Sequence, residues 1–363
     1  MAAGDGIAWG GRRVFVTGHT GFKGAWLVQA LARQGAEVTG YALPPPTTPS
    51  LFEAAGVAGL LRRHVTGDVR DAEHLAAELA AARPEAVFHL AAQALVRRGH
   101  REPVETFATN VTGTAALLEA VRRAAIPCAV IVVTSDKCYE PHDDGRPHRE
   151  EDALGGRDPY SASKACAELV AAAARRSSFP PERLADHGVQ VATVRAGNVV
   201  GGGDWAEDRL VTDLVAARAA GRPVKLRHPD AIRPWQHVLD PLSGYLDLAA
   251  RMLRDPAAGY GRAWNFGPLP GADLTVAAFV EAFFAAAGGG SWISAADPRA
   301  PVETAVLRLA VDRAVADLGW RPRFAPPVAI ARTAAWYRGF SADPSAARRL
   351  CDDDFRAHEE ASA

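Results

Sequence analysis

The stretch from residue 13 to residue 35 reads RVFVTGHTGFKGAWLVQALARQG. Its first residues are a β-rich apolar run typical of a buried strand, and its second half has the apolar spacing of a helix that ends at Gly35. Between them lie Gly18, Gly21 and Gly24. Glycines at such a junction let the backbone turn sharply and let a bulky anion reach the amides at a helix N-terminus. The stretch therefore predicts a strand–loop–helix unit that binds a pyrophosphate.

Five further β-rich runs follow, which makes six in all. Alanine-rich stretches, in which leucine and valine recur at helical spacing, lie between the first five of these six runs. The five runs cover residues 37–43, 64–69, 85–92, 128–135 and 189–197. Strands that alternate with helices form βαβ units and a parallel sheet with helices on both faces. The sequence therefore predicts an α/β fold built on a doubly wound, Rossmann-like parallel sheet.

The pattern loosens after Gly197, where the sequence becomes rich in glycine, proline and arginine, a composition typical of binding loops. Helices are predicted near residues 210–220, 240–254, 274–287 and 325–338. We expect a Rossmann domain over residues 12–197, to which a segment near 236–266 returns, and a smaller mixed α/β C-terminal substrate-binding domain over residues 198–340. Residues 341–363 are polar and charged, and we expect them to form a frayed tail.

Composition excludes several classes of protein. The 363 residues carry a net charge of −1, so no bulk field attracts nucleic acid or an anionic membrane. No apolar run approaches the ~20 residues that span a bilayer, and the N-terminus lacks the pattern of a secretory signal. The four cysteines have no metal-ligand spacing, and their sparse use suits a reducing compartment. We expect a cytoplasmic protein without a bound metal and without a nucleic-acid or membrane partner.

The residues after the second and third strands bear on the choice of cofactor. An acidic residue normally ends the second strand and binds the adenosine ribose, but Tyr41 and Ala42 stand there, and Glu37 lies too early. NAD is favoured over NADP, although the ribose position alone does not decide between them. Asp68 could meet the adenine amino group, and a strand-ending turn explains it about as well. Lys23 adds a cation near the phosphates, and a helix-surface lysine is an equal explanation.

A second motif, DPYSASKACAEL at residues 158–169, puts Tyr160 and Lys164 one helical turn apart. An ammonium beside a phenol favours the phenolate, which could then accept a proton near neutral pH. The run Ser135-Asp136-Lys137 follows the fifth strand, at the edge where doubly wound sheets bind ligands. A hydroxyl there can share a substrate proton, and a carboxyl and an amine can supply an acid and a base. An exposed helix pair would explain YxxxK alone, but the combination favours a catalytic site.

These motifs together resemble the extended short-chain dehydrogenase/reductase family, which acts largely on sugar nucleotides. The longer stretches VTGHTGFKGAWL, TSDKCY, DPYSASKACAEL and IRPWQHVLDPLSGYL are similar to the CDP-glucose 4,6-dehydratases of that family, over about residues 12–340. Related dTDP-sugar and GDP-sugar dehydratases carry Asp-Glu where this sequence has Asp136-Lys137. The resemblance implies an NAD-dependent, homodimeric lyase of deoxysugar biosynthesis that converts CDP-glucose to CDP-4-keto-6-deoxyglucose.

The resemblance also implies catalytic roles. Tyr160 would take the proton of the sugar 4-hydroxyl while hydride leaves C4 for NAD, and Ser135 would share that proton. Asp136 would protonate the departing C6 hydroxyl. Lys137 would remove the C5 proton, or else orient Asp136 or polarise the ketone. Lys164 would also hydrogen-bond the nicotinamide ribose.

Two sets of binding residues follow from the same resemblance. The cofactor would contact Gly18, Thr20, Gly21, Phe22, Lys23, Gly24, Asp68, Val69, Leu90, Ala91, Ala92, Tyr160 and Lys164. The nucleotide sugar would contact Asn198, Arg209, Arg233, Arg299 and Glu303. Arginine suits a diphosphate because its planar fork binds two oxygens, although each arginine alone could be a surface ion pair. The sequence departs from the family pattern around residues 299–303, and His100 stands where the family commonly has tyrosine.

Two other functions remain open. A sugar-nucleotide 4-epimerase would use the same Tyr160, Lys164 and Ser135, but it needs no acid–base pair at C5 and C6. The pair Asp136-Lys137 therefore favours dehydration. A catalytically silent regulator that binds NAD(H) is disfavoured because the catalytic residues are intact.

Overall fold

The computed structural model describes residues 9–142, 144–295 and 305–361. The strands of these residues are β1 (Arg13–Thr17), β2 (Glu37–Ala42), β3 (Arg63–Thr66), β4 (Ala86–His89), β5 (Cys128–Val133), β6 (Val189–Ala196), β7 (Val199–Val200), β8 (Val224–Leu226), β9 (Ile232–Arg233), β10 (Gln236–His237), β11 (Ala263–Phe266), β12 (Leu274–Thr275) and β13 (Trp292–Ser294). The helices are α1 (Phe22–Arg33), α2 (Leu51–Ala54), α3 (Ala72–Ala82), α4 (Val96–Arg101), α5 (Pro103–Phe107), α6 (Gly113–Ala124), α7 (Pro159–Ser177), α8 (Leu184–His187), α9 (Leu210–Ala219), α10 (Leu239–Arg254), α11 (Val276–Ala287), α12 (Asp312–Leu318), α13 (Pro326–Ala342) and α14 (Ala347–Glu360).

Seven strands form one parallel sheet in the order β11-β6-β5-β4-β1-β2-β3. Successive strands run outward from β1 in one direction and from β4 in the other, which is the doubly wound arrangement. The predicted α/β fold is confirmed. Strand β11 lies at the edge of this sheet, and its Ala263 pairs with Thr193 of β6. It belongs to the segment that was expected to return to the first domain.

Side chains on each strand alternate between the two faces of the sheet. Both faces carry apolar side chains, and helices cover both of them. On β1, Val14 and Val16 belong to one buried cluster, which includes Trp26 of α1 and Leu242 of α10. Phe15 belongs to the other cluster, with residues of α3, α6 and α7. The sequence is therefore apolar at consecutive positions in the central strands, as expected for a sheet that is buried on both sides.

The third and fourth strands end earlier than predicted, at Thr66 and His89. The residues that follow them turn away from the sheet and form loops at its carboxyl edge. Gly67 illustrates the reason, since a Cβ there would lie 2.3 Å from the ring of Tyr41. The close approach of the two residues requires glycine at this position.

The residues after β6 form three two-stranded sheets, which pair β7 with β10, β8 with β13 and β9 with β12. The helices predicted after Gly197 are found as α9, α10, α11 and α13, within a few residues of the expected bounds. No helix in the described part of the chain combines the length and the apolar character needed to cross a bilayer.

The prediction of a frayed C-terminal tail is wrong. Residues 347–360 form α14, in which Cys351 and Phe355 are buried. The ring of Phe355 lies 5.3 Å from that of Trp26 in α1, between centroids. The tail packs because its apolar residues recur at helical spacing, a signal hidden by the many charged residues between them.

Candidate active site

The glycine loop after β1 joins the sheet to α1. Gly18 has a φ of +74°, and a Cβ there would lie 2.6 Å from the backbone nitrogen of Ala91. A Cβ on Gly24 would lie 2.2 Å from the carbonyl oxygen of Gly18. Both glycines are therefore required by packing of the protein against itself.

Gly21 is different, because its φ of −79° suits any residue and a Cβ would meet only an oxygen at 3.5 Å. The protein's own packing does not require a glycine at this position, which caps the N-terminus of α1. The open side of Gly21 leaves room for a pyrophosphate against the first amides of the helix. The loop therefore fits a dinucleotide.

The other predicted cofactor residues line the same edge of the sheet. Phe22 begins α1, and Leu90, Ala91 and Ala92 follow β4 beside the glycine loop. Val69 is buried against α6, where a Cβ on Gly113 would lie 2.7 Å from it. Thr20 donates its hydroxyl to the carbonyl oxygen of Leu43 at 2.9 Å, after β2. The structure thus places these residues in the loops that follow the first four strands, along the carboxyl edge of the sheet.

Asp68 follows β3, and its carboxylate is engaged within the protein. It accepts hydrogen bonds from the backbone N–H of Arg70 at 2.9 Å and from its Nε at 3.0 Å. The hydrogen bond from the Arg70 side chain lowers the pKa of Asp68. An adenine amino group would therefore share this carboxylate with Arg70. The hydroxyl of Tyr41 donates to the backbone oxygen of Asp68 at 2.9 Å, so this tyrosine supports the turn.

Helix α7 carries the YxxxK motif, and its first turn is fixed by capping. The side chain of Asp158 accepts the backbone N–H of Ser161 at 3.0 Å, and Pro159 occupies the first helical position. Tyr160 and Lys164 consequently fall in consecutive turns on the inner face, where both are buried.

The sequence predicted that the ammonium of Lys164 favours the phenolate of Tyr160, but other groups affect the pKa of this phenol in the structure. Burial raises the pKa of Tyr160, while hydrogen bonding with Ser135 and the charge of Arg209 oppose the rise. The ammonium of Lys164 donates to the backbone oxygen of Val133 at 3.2 Å. Burial lowers the pKa of Lys164 to about 8. The expected lowering of the phenol pKa by Lys164 stays a prediction.

The run after β5 forms a compact turn at the carboxyl end of the strand. The hydroxyl of Ser135 donates to Oδ1 of Asp136 at 3.0 Å and accepts the backbone N–H of Lys137 at 3.2 Å. Asp136 is 3% exposed, and its Oδ2 has no hydrogen-bond partner among the residues that the structure describes. Burial raises its pKa, although Lys137, Ser135, Arg233 and Lys23 oppose the rise. A buried carboxyl of this kind can hold a proton and donate it.

Lys23 lies nearer to this turn than the sequence suggested. Its Nζ is 5.7 Å from the centroid of the Tyr245 ring, whose buried hydroxyl makes no hydrogen bond within the described part of the chain. Burial, together with the charges of Lys164 and Arg209, lowers the pKa of Lys23 to about 7, against the opposing attraction of Asp136. The lysine therefore reaches toward the catalytic run. Tyr245 lies within the stretch IRPWQHVLDPLSGYL but was not among the predicted site residues.

The predicted substrate residues that the structure describes all come after β6 in the chain. Asn198 directly precedes β7, and its backbone oxygen accepts the N–H of Gln236 in β10 at 3.0 Å. Arg209 precedes α9 and donates to the backbone oxygen of Ala94, in the loop between β4 and α4, at 3.2 Å. Arg233 is 8% exposed, and its charge affects Asp136. Arg299 and Glu303 lie outside the described residues.

Sequence reasoning missed a buried ion pair beneath the site. Glu168 accepts two hydrogen bonds of 2.8 Å from Arg195 and one from each hydroxyl of Thr134 and Thr193. Arg195 also donates to the hydroxyl of Tyr139 at 2.8 Å. An arginine inside the apolar run VQVATVRAG was the available signal, because a buried cation needs a partner.

A second missed group holds the loop after β4 against α7. Asn110 lies in a π-helical turn, Ala108–Thr112. Its Nδ2 donates to the backbone oxygen of Gln93 at 3.0 Å and to the hydroxyl of Ser163 at 2.8 Å. These bonds join the predicted cofactor loop to the helix that carries Tyr160.

Within the described residues, His142, His148 and Asp152 have ligand atoms within 4.8 Å of one another, as a metal site would require. The Oδ2 of Asp152 already accepts hydrogen bonds from Arg146 at 2.7 Å and from the backbone of Arg149 at 3.0 Å. These contacts place a guanidinium where a cation would bind. We therefore assign no metal to this group.

Comparison with known proteins places this site in a family. The model of the NAD-dependent epimerase/dehydratase family matches residues 14–267. The chain belongs to this family. It is 46% identical over 333 residues to a CDP-glucose 4,6-dehydratase of Salmonella typhimurium, an alignment that covers 92% of each chain.

Two further comparisons agree with this membership. A dTDP-glucose 4,6-dehydratase of Streptomyces antibioticus is 31% identical over 90% of this chain and 92% of its own length. The crystal structure of a dTDP-glucose 4,6-dehydratase of Streptomyces venezuelae, solved with NAD, superposes with a TM-score of 0.77 at 26% identity. The match covers 92% of this chain and 99% of that one. The fold, over about nine tenths of the chain, is thus that of sugar-nucleotide enzymes.

Proposed function

We propose that this protein is an NAD-dependent hydro-lyase, a CDP-glucose 4,6-dehydratase that forms CDP-4-keto-6-deoxyglucose. The proposal depends chiefly on one observation. The buried carboxyl of Asp136 lies between Ser135 and Lys137, on the turn whose serine opposes the rise that burial causes in the pKa of Tyr160. A 4-epimerase requires only the phenol and its partners, whereas dehydration also requires an acid and a base at C6 and C5. The 46% identity to the Salmonella enzyme supports CDP-glucose as the substrate.

The cofactor fits the glycine loop, where the open side of Gly21 faces the first turn of α1. When bound, NAD would accept the hydride of sugar C4 and return it to C6, so that no external oxidant is consumed. Lys164 would bind the nicotinamide ribose from the second turn of α7. Lys23 and Arg209 would offset the negative charge of the phosphates.

Tyr160 would accept the proton of the 4-hydroxyl, and Ser135 would hold that oxygen in place. The resulting ketone makes the C5 proton acidic, and the amine of Lys137 would remove it. Asp136 would give its proton to the C6 hydroxyl, which leaves as water. Lys137 then returns a proton to C5. The proton that Tyr160 gains balances the one that Asp136 loses, so exchange with solvent restores both groups.

The substrate can be tested directly with a panel of nucleoside diphosphate glucoses. We expect CDP-glucose to give a 4-ketosugar, detected by its absorbance in alkali, much faster than the dTDP, GDP and UDP analogues. Formation of the C4 epimer without a ketosugar would instead support an epimerase. Failure of every sugar nucleotide to reduce the bound cofactor would support the silent regulator.

We also propose that the protein acts as a homodimer in the cytoplasm. Exposed apolar side chains lie on α5 and α7, two helices that pack against each other: Val104 is 81% exposed, Leu169 55% and Phe107 37%. A second copy of the same surface would bury them. The alanines Ala165 and Ala171 of α7 are already buried within one chain. All four cysteines are free thiols, which suits a reducing compartment.

A further inference from the structure

The ion pair of Glu168 and Arg195 is almost completely buried beneath the candidate active site. Their side chains are 1% and 3% exposed. The guanidinium meets the carboxylate in the bidentate arrangement, with both hydrogen bonds 2.8 Å long. Burial of two charges costs free energy that a pair of apolar side chains would not, so such a pair is poorly explained by stability alone.

The hydrogen bonds of the carboxylate are shared between two neighbouring strands. Thr134, at the end of β5, donates to Oε1 at 2.5 Å, and Thr193, on β6, donates to Oε2 at 2.7 Å. Burial raises the pKa of Glu168, but the bonds from Arg195 and the two hydroxyls together hold it below its usual value. The group is therefore a fixed anion with all of its acceptor capacity in use.

The position of this anion connects the two halves of the catalytic site. Glu168 lies one turn after Lys164 and two turns after Tyr160 on α7, so the three side chains share one helix face. Thr134 directly precedes Ser135. The bond between Glu168 and Thr134 thus spans the gap between the helix that carries the phenol and the strand end that carries the serine.

We propose that Glu168 is a positioning residue, which acts through Thr134 to hold the Ser135 hydroxyl against the Tyr160 phenol. The inference extends the proposed function, because the serine and the phenol serve the oxidation of C4. Displacement of a catalytic group by about 1 Å can reduce a rate by roughly a hundredfold, so a single bond at this place matters more to rate than to folding.

Two matched variants test the proposal, Thr134→Val and Thr193→Val. Each removes one buried hydroxyl donor to the same carboxylate and keeps the shape of the side chain, so both should lower the melting temperature similarly. We expect Thr134→Val to slow reduction of the bound cofactor by CDP-glucose roughly tenfold without a change in KM, and Thr193→Val to stay within about twofold of wild type. Thr134→Ser, which keeps the hydroxyl, should restore the rate.

Equal rates in the two valine variants, or a Thr134→Ser variant as slow as Thr134→Val, would overturn the positioning role. Crystal structures of both valine variants provide a measurement independent of turnover. Ser135 should be displaced from Tyr160 in Thr134→Val only, and its unchanged position there would also reject the inference. Failure of the wild-type protein to act on any sugar nucleotide would reject the proposed function, and the crystallographic comparison would still decide the role of Glu168.

Discussion

Tyr160 shows how the environment of a single residue sets its chemistry. Burial raises the pKa of the phenol, which makes the phenolate harder to form. Ser135 and the charge of Arg209 lower the pKa in opposition to burial. Burial lowers the pKa of Lys164 to about 8, so this lysine is still mostly protonated at neutral pH. A phenol in this setting is a proton acceptor only together with its partners.

Replacement of Tyr160 by phenylalanine should abolish turnover while leaving cofactor binding nearly intact. The variant keeps the ring and its packing but loses the oxygen that accepts the proton, so we expect turnover to fall by roughly a thousandfold. Ketosugar formation and the amount of bound cofactor would be measured side by side. Near wild-type turnover would contradict the role assigned to Tyr160.

Asp136→Asn should stop the reaction after the oxidation of C4. The amide cannot donate a proton to the C6 hydroxyl, so reduced cofactor should accumulate in a single turnover, where its absorbance reports it. Burial raises the pKa of Asp136, so the wild-type acid keeps its proton to a higher pH than a free carboxyl. Dehydration by the wild type should be present below this pKa and lost as the pH rises through it. The idea fails if the variant shows no build-up of reduced cofactor.

At the scale of elements, local signals fixed the helix that carries the catalytic pair. Asp158 and Pro159 mark the beginning of α7 in the sequence as they do in the structure. The C-terminal segment gave the opposite result, because its high charge obscured the apolar positions of α14. Whether such a helix docks depends on a partner surface, here supplied by α1, more than three hundred residues earlier in the chain.

Phe355→Ala should therefore destabilise the protein as a core substitution does. The side chain is 6% exposed and packs on Trp26, so we expect the free energy of unfolding to fall by about 3 kcal/mol. Urea denaturation would measure the change, with the exposed Arg356→Ala as the matched control. A loss no larger than that of the control would mean that α14 contributes nothing to the core.

For the whole molecule, the predicted homodimer depends on the apolar surface of α5 and α7. Leu169→Glu places a charge in that surface and should convert the protein to a monomer, measured by sedimentation velocity. Val328→Glu is the control, since Val328 is 44% exposed on α13 and outside the proposed interface. A variant that sediments as the wild type does would exclude this surface as the interface.

The amino-acid sequence by itself determined the α/β fold, the glycine loop and the YxxxK helix. These features depend on apolar periodicity, on backbone freedom at glycine and on capping, all of which act over a few neighbouring residues. The carboxyl ends of parallel strands meet at one edge of the sheet, so Ser135 and Asp136 could also be assigned to the site.

Only the tertiary structure decided which charges meet inside that edge. It paired Glu168 with Arg195, turned Lys164 toward the carbonyl of Val133 and brought Lys23 close to Tyr245. Such contacts join residues far apart in the chain, and their pKa values depend on burial by many other side chains. Electrostatic energy depends on distance and on the surrounding dielectric, and neither is encoded in a local pattern.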